Sequence, residues 1–182
     1  MSRIALYTFG ILNAAATSGR PADFRAVAPA VYREAERSEG FIAHAVSVRP
    51  DLYGKSRLGQ DFGPWGVYVA PRFYQPGSGN DDGTMIATLS LWQDTDAAWS
   101  FVYGGLHRGA LRRRRDWFKP PEWPGYVSWW VPDHVVPTWS EGASKLEALH
   151  DNGPRASGFD FGHRYDAKGQ PDLPSMRAVR SA

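Results

Sequence analysis

The stretch TMIATLSLWQDTDAAWSFVYGGLHRGALRRRRDWF, residues 84 to 118, decides the fold because it joins a strand to a long helix. Its first part is rich in apolar and β-branched residues and ends at Trp92, which is typical of a buried strand. The side chain of Asp94 or Thr95 can then accept a hydrogen bond from a free backbone N–H group at the start of a helix. We therefore predict a strand up to Trp92 and one amphipathic helix that begins at Asp94.

At about 100° per residue, this helix carries a continuous apolar stripe along one side. The stripe consists of Trp99, Val102, Leu106, Ala110 and Trp117. Tyr103, His107 and Arg114 form a half-buried row at its border, whereas the arginines at 108, 112 and 115 point the opposite way. Positive charge near a helix C-terminus is favoured by the helix dipole. The run of four arginines therefore predicts a solvated basic face rather than nucleic-acid binding.

Further strands and helices surround this stretch. Residues 4–9 and 41–48 are predicted strands, and a helix from Pro21 to the cap at Gly40 joins them, with a kink or a split at Pro29. GYVSWWV, residues 125–131, is the fourth predicted strand. Thr138 and Glu141 have the spacing of a capping box and start a third helix, which ends at Gly153.

This order predicts an α+β protein with a ferredoxin-like βαββαβ fold, an antiparallel sheet and an extra C-terminal helix. One domain should span residues 1–165, with an inserted loop at 50–83 and a disordered tail at 166–182. The loop is rich in Gly and Pro, and only WGVYVA, residues 65–70, is predicted as a strand. A lid and a floppy insertion remain open as alternatives. Two helices cover only one face of the sheet, so we expect a homodimer that buries the other face.

The composition excludes several classes of protein. There is no cysteine, which excludes disulfides, thiolate metal sites and cysteine nucleophiles. The net charge of +2 argues against a nucleic-acid partner, and no apolar stretch is long enough to span a membrane. The start of the chain predicts a strand rather than a signal peptide, so a cytoplasmic protein is expected. Aromatic residues make up 14% of the chain and either fill the core, form an interface or line a pocket for a flat ligand.

The best catalytic candidates are the three residues of the border row. His107 can act as a base, Tyr103 can orient a phenol or enol, and Arg114 can hold a developing oxyanion. The alternative is a helix-edge histidine bonded to a backbone carbonyl and an arginine in a surface ion pair. Trp92, Trp99, Trp129, His44 and Phe118 are the candidate substrate-binding residues. No spacing of histidines or carboxylates suggests a metal site, and no glycine-rich nucleotide motif occurs.

The string ATLSLW, FVY, His107, RRRRDWF, WWVP and GFDF closely resembles a bacterial family known only as a domain of unknown function. That family resembles a branch of the dimeric α/β-barrel superfamily, which includes the antibiotic-biosynthesis monooxygenases. The resemblance covers residues 4–48 and 84–162 and implies a ferredoxin-like fold and a dimer of packed sheets. It implies no particular reaction, and the insertion at 50–83, where relatives are generally shorter, suggests a remodelled pocket.

Three functions follow as hypotheses. The first is a small-molecule tailoring enzyme, a cofactor-independent oxygenase or a cyclase, that acts on an aromatic or polyketide-like natural product without a metal. The second is a haem-binding protein with His107 or His44 as the axial ligand and arginines at the propionates. The third is a non-catalytic binder of a small apolar molecule.

Overall fold

The computed structural model describes residues 1–13, 21–46, 57–75 and 85–172 of the chain. The four strands are β1 (Ser2–Ile11), β2 (Phe41–His44), β3 (Met85–Trp92) and β4 (Tyr126–Pro132). The four α-helices are α1 (Pro21–Arg37), α2 (Thr95–Tyr103), α3 (Gly105–Trp117) and α4 (Trp139–Asn152). The strands form one antiparallel sheet in the order β2-β3-β1-β4. This is the ferredoxin-like α+β arrangement that the sequence predicts.

The predicted helix from residue 94 is wrong in one respect, because it is two helices. Asp94 caps α2 and accepts a hydrogen bond from the Ala97 backbone N–H at 2.8 Å, as expected. The chain then leaves helical geometry at Gly104 and restarts as α3 at Gly105, whose φ is +40°. Two adjacent glycines lower the helix propensity enough for a tertiary contact to break the helix here.

The sheet face opposite α1 and α2 is covered by the chain itself. The odd-numbered residues of β1, including Ala5 and Tyr7, pack against Trp139 and Leu146 of α4. Residues 57–75 add to this layer, and the hydroxyl of the buried Tyr68 accepts a hydrogen bond from the Ala87 backbone N–H at 3.0 Å. The sheet therefore needs no second copy of the chain to bury this face. The homodimer stays a prediction, but an uncovered sheet face no longer supports it.

Other sequence expectations are met in part. α1 is continuous through Pro29 rather than split. Residues 65–70 contain no strand; they contain the end of a short 3₁₀-helix (Gly63–Trp65) and one bridge at Val67. Residues 166–172, expected to be disordered, form a hydrogen-bonded turn that is tied to Arg164 through Asp172. The remaining parts of these predictions, at 47–56, 76–84 and 173–182, lie outside the described residues.

α4 begins as its sequence predicts. The Thr138 hydroxyl accepts a hydrogen bond from the Glu141 backbone N–H at 3.2 Å, and Gly153 ends the helix with a φ of +71°. Within the described ranges, no helix is both long enough and apolar enough to cross a membrane.

Candidate functional site

The apolar core on the helix-covered face of the sheet is interrupted at its centre. One cluster gathers around Ile4, Leu6 and Trp92, and a second one around Leu12 and Trp117 lies at the other end of the strands. Between them, Thr8 of β1 and Thr88 of β3 are paired in register and share a hydrogen bond of 2.7 Å between their hydroxyls. Both threonines are only half-buried, although they lie on the two central strands. The helix layer therefore leaves the middle of the sheet incompletely covered.

The helix break explains this incomplete cover. α2 packs on β1 and β3, but α3 packs mainly on α1 and α2, and α1 in turn packs mainly on α3 and β2. The Glu34 carboxylate of α1 accepts hydrogen bonds from the backbone N–H groups of Leu106, at 2.9 Å, and His107, at 3.1 Å. A carboxylate is favoured at a helix N-terminus, because the backbone N–H groups there are unpaired and the positive end of the helix dipole lies there. α3 is thereby held against α1 rather than laid on the sheet.

His107 is fixed in one tautomer within this arrangement. Its Nδ1 lies 2.8 Å from the Val102 carbonyl oxygen, and its ring packs on Phe101 with ring centroids 4.8 Å apart. Because a carbonyl only accepts, Nδ1 carries the hydrogen and Nε2 carries the lone pair in the neutral ring. Nε2 makes no hydrogen bond to any described residue and is not fully buried. It is therefore free to accept a proton.

Burial sets the charge of this histidine. It lowers the pKa of His107 below 6.5, and this effect outweighs the opposite influence of the Val102 hydrogen bond and the nearby Glu34 carboxylate. His107 is consequently neutral near pH 7. A neutral imidazole with an open Nε2 is the form that general-base chemistry requires.

The predicted row of Tyr103, His107 and Arg114 is divided by the helix break. Arg114 lies two turns after His107 on the same side of α3, is exposed and forms no ion pair with a described residue. Tyr103 belongs to α2 and packs against Trp99 and Phe161 instead, with ring centroids 5.2 and 6.1 Å apart. The structure therefore keeps His107 and Arg114 on one row, whereas Tyr103 packs on Trp99 and Phe161.

The two buried tryptophans predicted to line one pocket lie on opposite faces of the sheet. Trp92 lies on the helix side, between Phe41 and Phe101. Through Phe101 its aromatic row reaches His107. Trp129 lies on the other side beneath Lys145, whose ammonium is 5.5 Å from the ring centroid. Only Trp92 can therefore contribute to a site at His107.

The remaining predicted contacts are dispersed. Both nitrogens of His44 are occupied, Nδ1 by the Val46 carbonyl at 2.6 Å and Nε2 by the Glu36 carboxylate at 2.9 Å. Phe118 closes the far end of the helix layer against Phe24, with ring centroids 5.2 Å apart. Neither side chain contacts His107.

A cleft with a volume of about 410 Å³ opens beside the helix break. Its wall includes Glu34, Phe101 and Gly105, all neighbours of His107, and further carboxylates. Among these, Asp94 caps α2 and Asp96 pairs with the buried Arg164 at 2.7 Å. Three of the four acidic residues of the cleft, Glu34, Asp94 and Asp96, thus have structural partners. In the ranges given above, no group of three histidine or acidic side chains is arranged to hold a metal ion.

Sequence reasoning missed Thr8, Thr88 and Glu34. The signal for the threonines is a polar residue at an inward position of an otherwise apolar strand, which alternation can reveal. Glu34 has no such signal, because its partners in α3 are more than seventy residues away in the chain.

Two solved structures resemble this chain. The protein NE2512 of unknown function from Nitrosomonas europaea is 11% identical, with a TM-score of 0.44 over 75% of this chain and 96% of that one. A mutant of SnoaB, a cofactor-independent oxygenase from Streptomyces nogalater, is 12% identical, with a TM-score of 0.38 over 74% of this chain and 95% of that one. Similarity at this level carries no information on activity. No curated protein matches the sequence.

A family model does match, and it spans residues 3–175, including the inserted segment. It thus covers the ranges 4–48 and 84–162 over which the resemblance was expected, and it also extends through the segment at 50–83 and beyond residue 162. The chain belongs to the family described as Domain of unknown function (DUF3291).

Proposed function

We propose that this protein is a small-molecule enzyme in which His107 removes a proton from an aromatic or polyketide-like substrate bound between the helix layer and the sheet. The observation that carries the proposal is the hydrogen bond from Nδ1 to the Val102 carbonyl, which directs the lone pair of a neutral, partly buried imidazole to Nε2. The half-buried Thr8–Thr88 pair supplies hydroxyls on the sheet side. Phe101 and Trp92 supply aromatic surface.

The chemistry begins with proton transfer. Nε2 of His107 takes a proton from an acidic C–H or O–H group, and the substrate becomes an electron-rich anion. Arg114, two turns along α3, is the nearest cation of that row to offset the negative charge. The anion can close a ring onto a carbonyl of the same molecule. It can alternatively reduce dioxygen, in which case a CH₂ group becomes a carbonyl and one water leaves. We also propose that the family belongs to the dimeric α/β-barrel superfamily.

Deuterium exchange tests the proton transfer without knowledge of the natural substrate. A panel of enolisable aromatic ketones is incubated with the protein in D₂O, and loss of the acidic C–H signal is followed by proton NMR. We expect His107→Gln to slow the exchange by about 100-fold or more, because general-base catalysis contributes about 10²–10⁴. The rate should rise with pH to a plateau, with a midpoint below 6.5, since only neutral His107 accepts the proton.

His134→Gln is the matched control, because His134 is exposed on the turn after β4. Exchange that survives in His107→Gln at the wild-type rate would remove His107 as the base. Exchange equally slow in both variants would show that histidine loss acts indirectly. Unchanged binding of a ketone together with no exchange even in the wild type would favour the non-catalytic binder.

Haem binding is the second candidate, and the same hydrogen bond favours it. An axial histidine also needs an open Nε2 and an Nδ1–H held by an acceptor, as His107 has. His44 fits less well, because the haem iron could reach a ring nitrogen only by displacing the Val46 carbonyl or the Glu36 carboxylate. Absorption spectra with added haemin separate the two candidates. A sharp Soret band that disappears in His107→Ala supports haem, and no band removes this candidate.

A further inference from the structure

Glu34 of α1 caps a helix that has no cap of its own. Gly104 occupies the N-cap position of α3 and has no side chain, so it cannot accept hydrogen bonds from the free N–H groups of the first turn. Glu34 accepts them instead, with one oxygen from Leu106 at 2.9 Å and with the other from His107 at 3.1 Å. These are the second and third helical residues, the positions that a capping side chain normally reaches. The cap of α3 is therefore supplied by a different helix.

One of these two hydrogen bonds goes to the backbone of the candidate base itself. The carboxylate lies so close to the first turn of α3 that a methyl group added at Gly105 would overlap it. The ring of His107 is held from another side, by the hydrogen bond from Nδ1 to the Val102 carbonyl of α2 at 2.8 Å. The base is thus fixed at two points, its backbone by α1 and its ring by α2. Loss of the Glu34 carboxylate would free the first turn of α3 and loosen both.

Glu34 is also the charged group that acts on the imidazole. α3 packs on α1 and α2. From α1 the Glu34 carboxylate faces His107, from α2 the Val102 carbonyl and the uncharged Phe101 ring, and the next residue of α3, Arg108, is exposed. Burial lowers the pKa of His107, whereas the Val102 hydrogen bond and the Glu34 charge raise it. Glu34 therefore offsets part of the cost of placing a proton on a buried ring.

We propose that Glu34 is a positioning residue for His107. Its carboxylate fixes the backbone of the base through the N–H group, and its negative charge stabilises the imidazolium that forms when Nε2 takes a proton. Glu34 does both through His107 and needs no contact with the substrate. Its role in a reaction rests on the proposed function, whereas its effect on the His107 ring does not.

Proton NMR tests the effect on the ring without any substrate. The Cε1–H signals of the histidines are followed between about pH 4 and pH 8, and His107→Gln identifies the signal of His107. Glu34→Gln keeps the size of the side chain but removes its charge, so the titration midpoint of His107 should move to a lower pH than in the wild type. Glu34→Asp keeps the charge on a shorter side chain, and its midpoint should lie between the other two.

The deuterium-exchange assay measures the consequence for the reaction. In Glu34→Gln the midpoint of the pH–rate curve should move to lower pH together with the NMR midpoint. The plateau rate should fall by about 10-fold, because a displaced base and a weaker base both slow proton transfer. A cap with a purely structural role would lower the rate and leave the midpoint where it is.

Glu36→Gln is the matched control, because it removes a carboxylate from the same helix whose partner is His44. It should leave the His107 midpoint and the exchange rate unchanged. An unchanged His107 midpoint in Glu34→Gln, or an equal shift in Glu36→Gln, would overturn the proposal. If Glu34→Gln fails to fold, as judged by circular dichroism, Glu34→Asp decides, and a wild-type rate and midpoint in that variant would overturn it. No exchange in the wild type overturns the proposed function alone, because the NMR titration still measures the effect of Glu34 on His107.

Discussion

Gly142→Ala tests how closely α4 covers the sheet. A methyl group at Gly142 would lie 2.6 Å from Cδ2 and 2.8 Å from Cγ of Tyr7. Tyr7 is fully buried and lies edge-on to Trp139, with ring centroids 6.3 Å apart, so it has little room to move. Overpacking of this kind costs about 1–3 kcal/mol. Replacing Gly by Ala inside a helix gains about 1 kcal/mol from helix propensity, which opposes the clash.

Gly109→Ala isolates the contact, because it is the same substitution inside α3 with no atom within 4 Å of the added methyl group. Both variants gain the propensity, so the difference between their free energies of unfolding equals the steric cost of about 1–3 kcal/mol. For a protein of this size, 1 kcal/mol corresponds to roughly 2–4 °C in Tm, so the two should differ by about 2–12 °C. Urea unfolding and thermal melts followed by circular dichroism measure both. If Gly142→Ala is stabilised as much as Gly109→Ala, α4 does not lie against Tyr7, and the sheet face is open to a second copy.

Three further variants test the site and its surroundings. Because burial lowers the pKa of His107 below 6.5, the unfolded chain binds a proton at this histidine at a higher pH than the folded protein does. The stability that His107 contributes is therefore complete above about pH 6.5 and is lost as the pH falls through the pKa of the folded state. Urea unfolding between about pH 7 and pH 5 should show this loss in the wild type and not in His107→Gln. Ser128→Ala should leave the free energy of unfolding unchanged or raise it by up to about 1 kcal/mol, because the Ser128 hydroxyl is fully buried without a partner; a clear loss in a thermal melt would reveal a hidden one. Gly105→Ala should cost about 2 kcal/mol or more, since it forces a side chain into a positive φ and against the Glu34 carboxylate, and an unchanged Tm would argue against that cap.

The strands and their order could be predicted because apolar alternation and turn residues are local signals. The break between α2 and α3 could not, although GG at 104 and 105 marks the weak point. A helix can continue through two glycines, and here the deciding contact is the Glu34 carboxylate, which lies in a different helix. Contacts between residues distant in sequence leave no periodic signal. For the same reason, the helical-wheel row that united Tyr103 with His107 is correct only for an unbroken helix.

The placement of the tryptophans shows a second limit. Trp92 and Trp129 both lie in apolar strands, and composition alone suggests one aromatic pocket. Which face each occupies depends on strand register, and a shift by one residue exchanges the two faces. In the structure Ile4 is opposite Trp92, whereas Ala5 is opposite Trp129, so the two rings lie on opposite sides. The sequence could name candidate residues but not the face of the sheet on which each of them lies.

The two faces of the sheet together locate the candidate site. On one side, α4 and residues 57–75 cover the sheet with large buried rings. On the other side, the glycine break turns α3 away from the sheet towards α1, and Glu34 holds it there. This turn brings His107 over the Val102 carbonyl at the end of α2 and leaves Thr8 and Thr88 half-covered. The same local event therefore orients the candidate base and forms part of the wall of the cleft beside the helix break. A continuous helix would have placed neither.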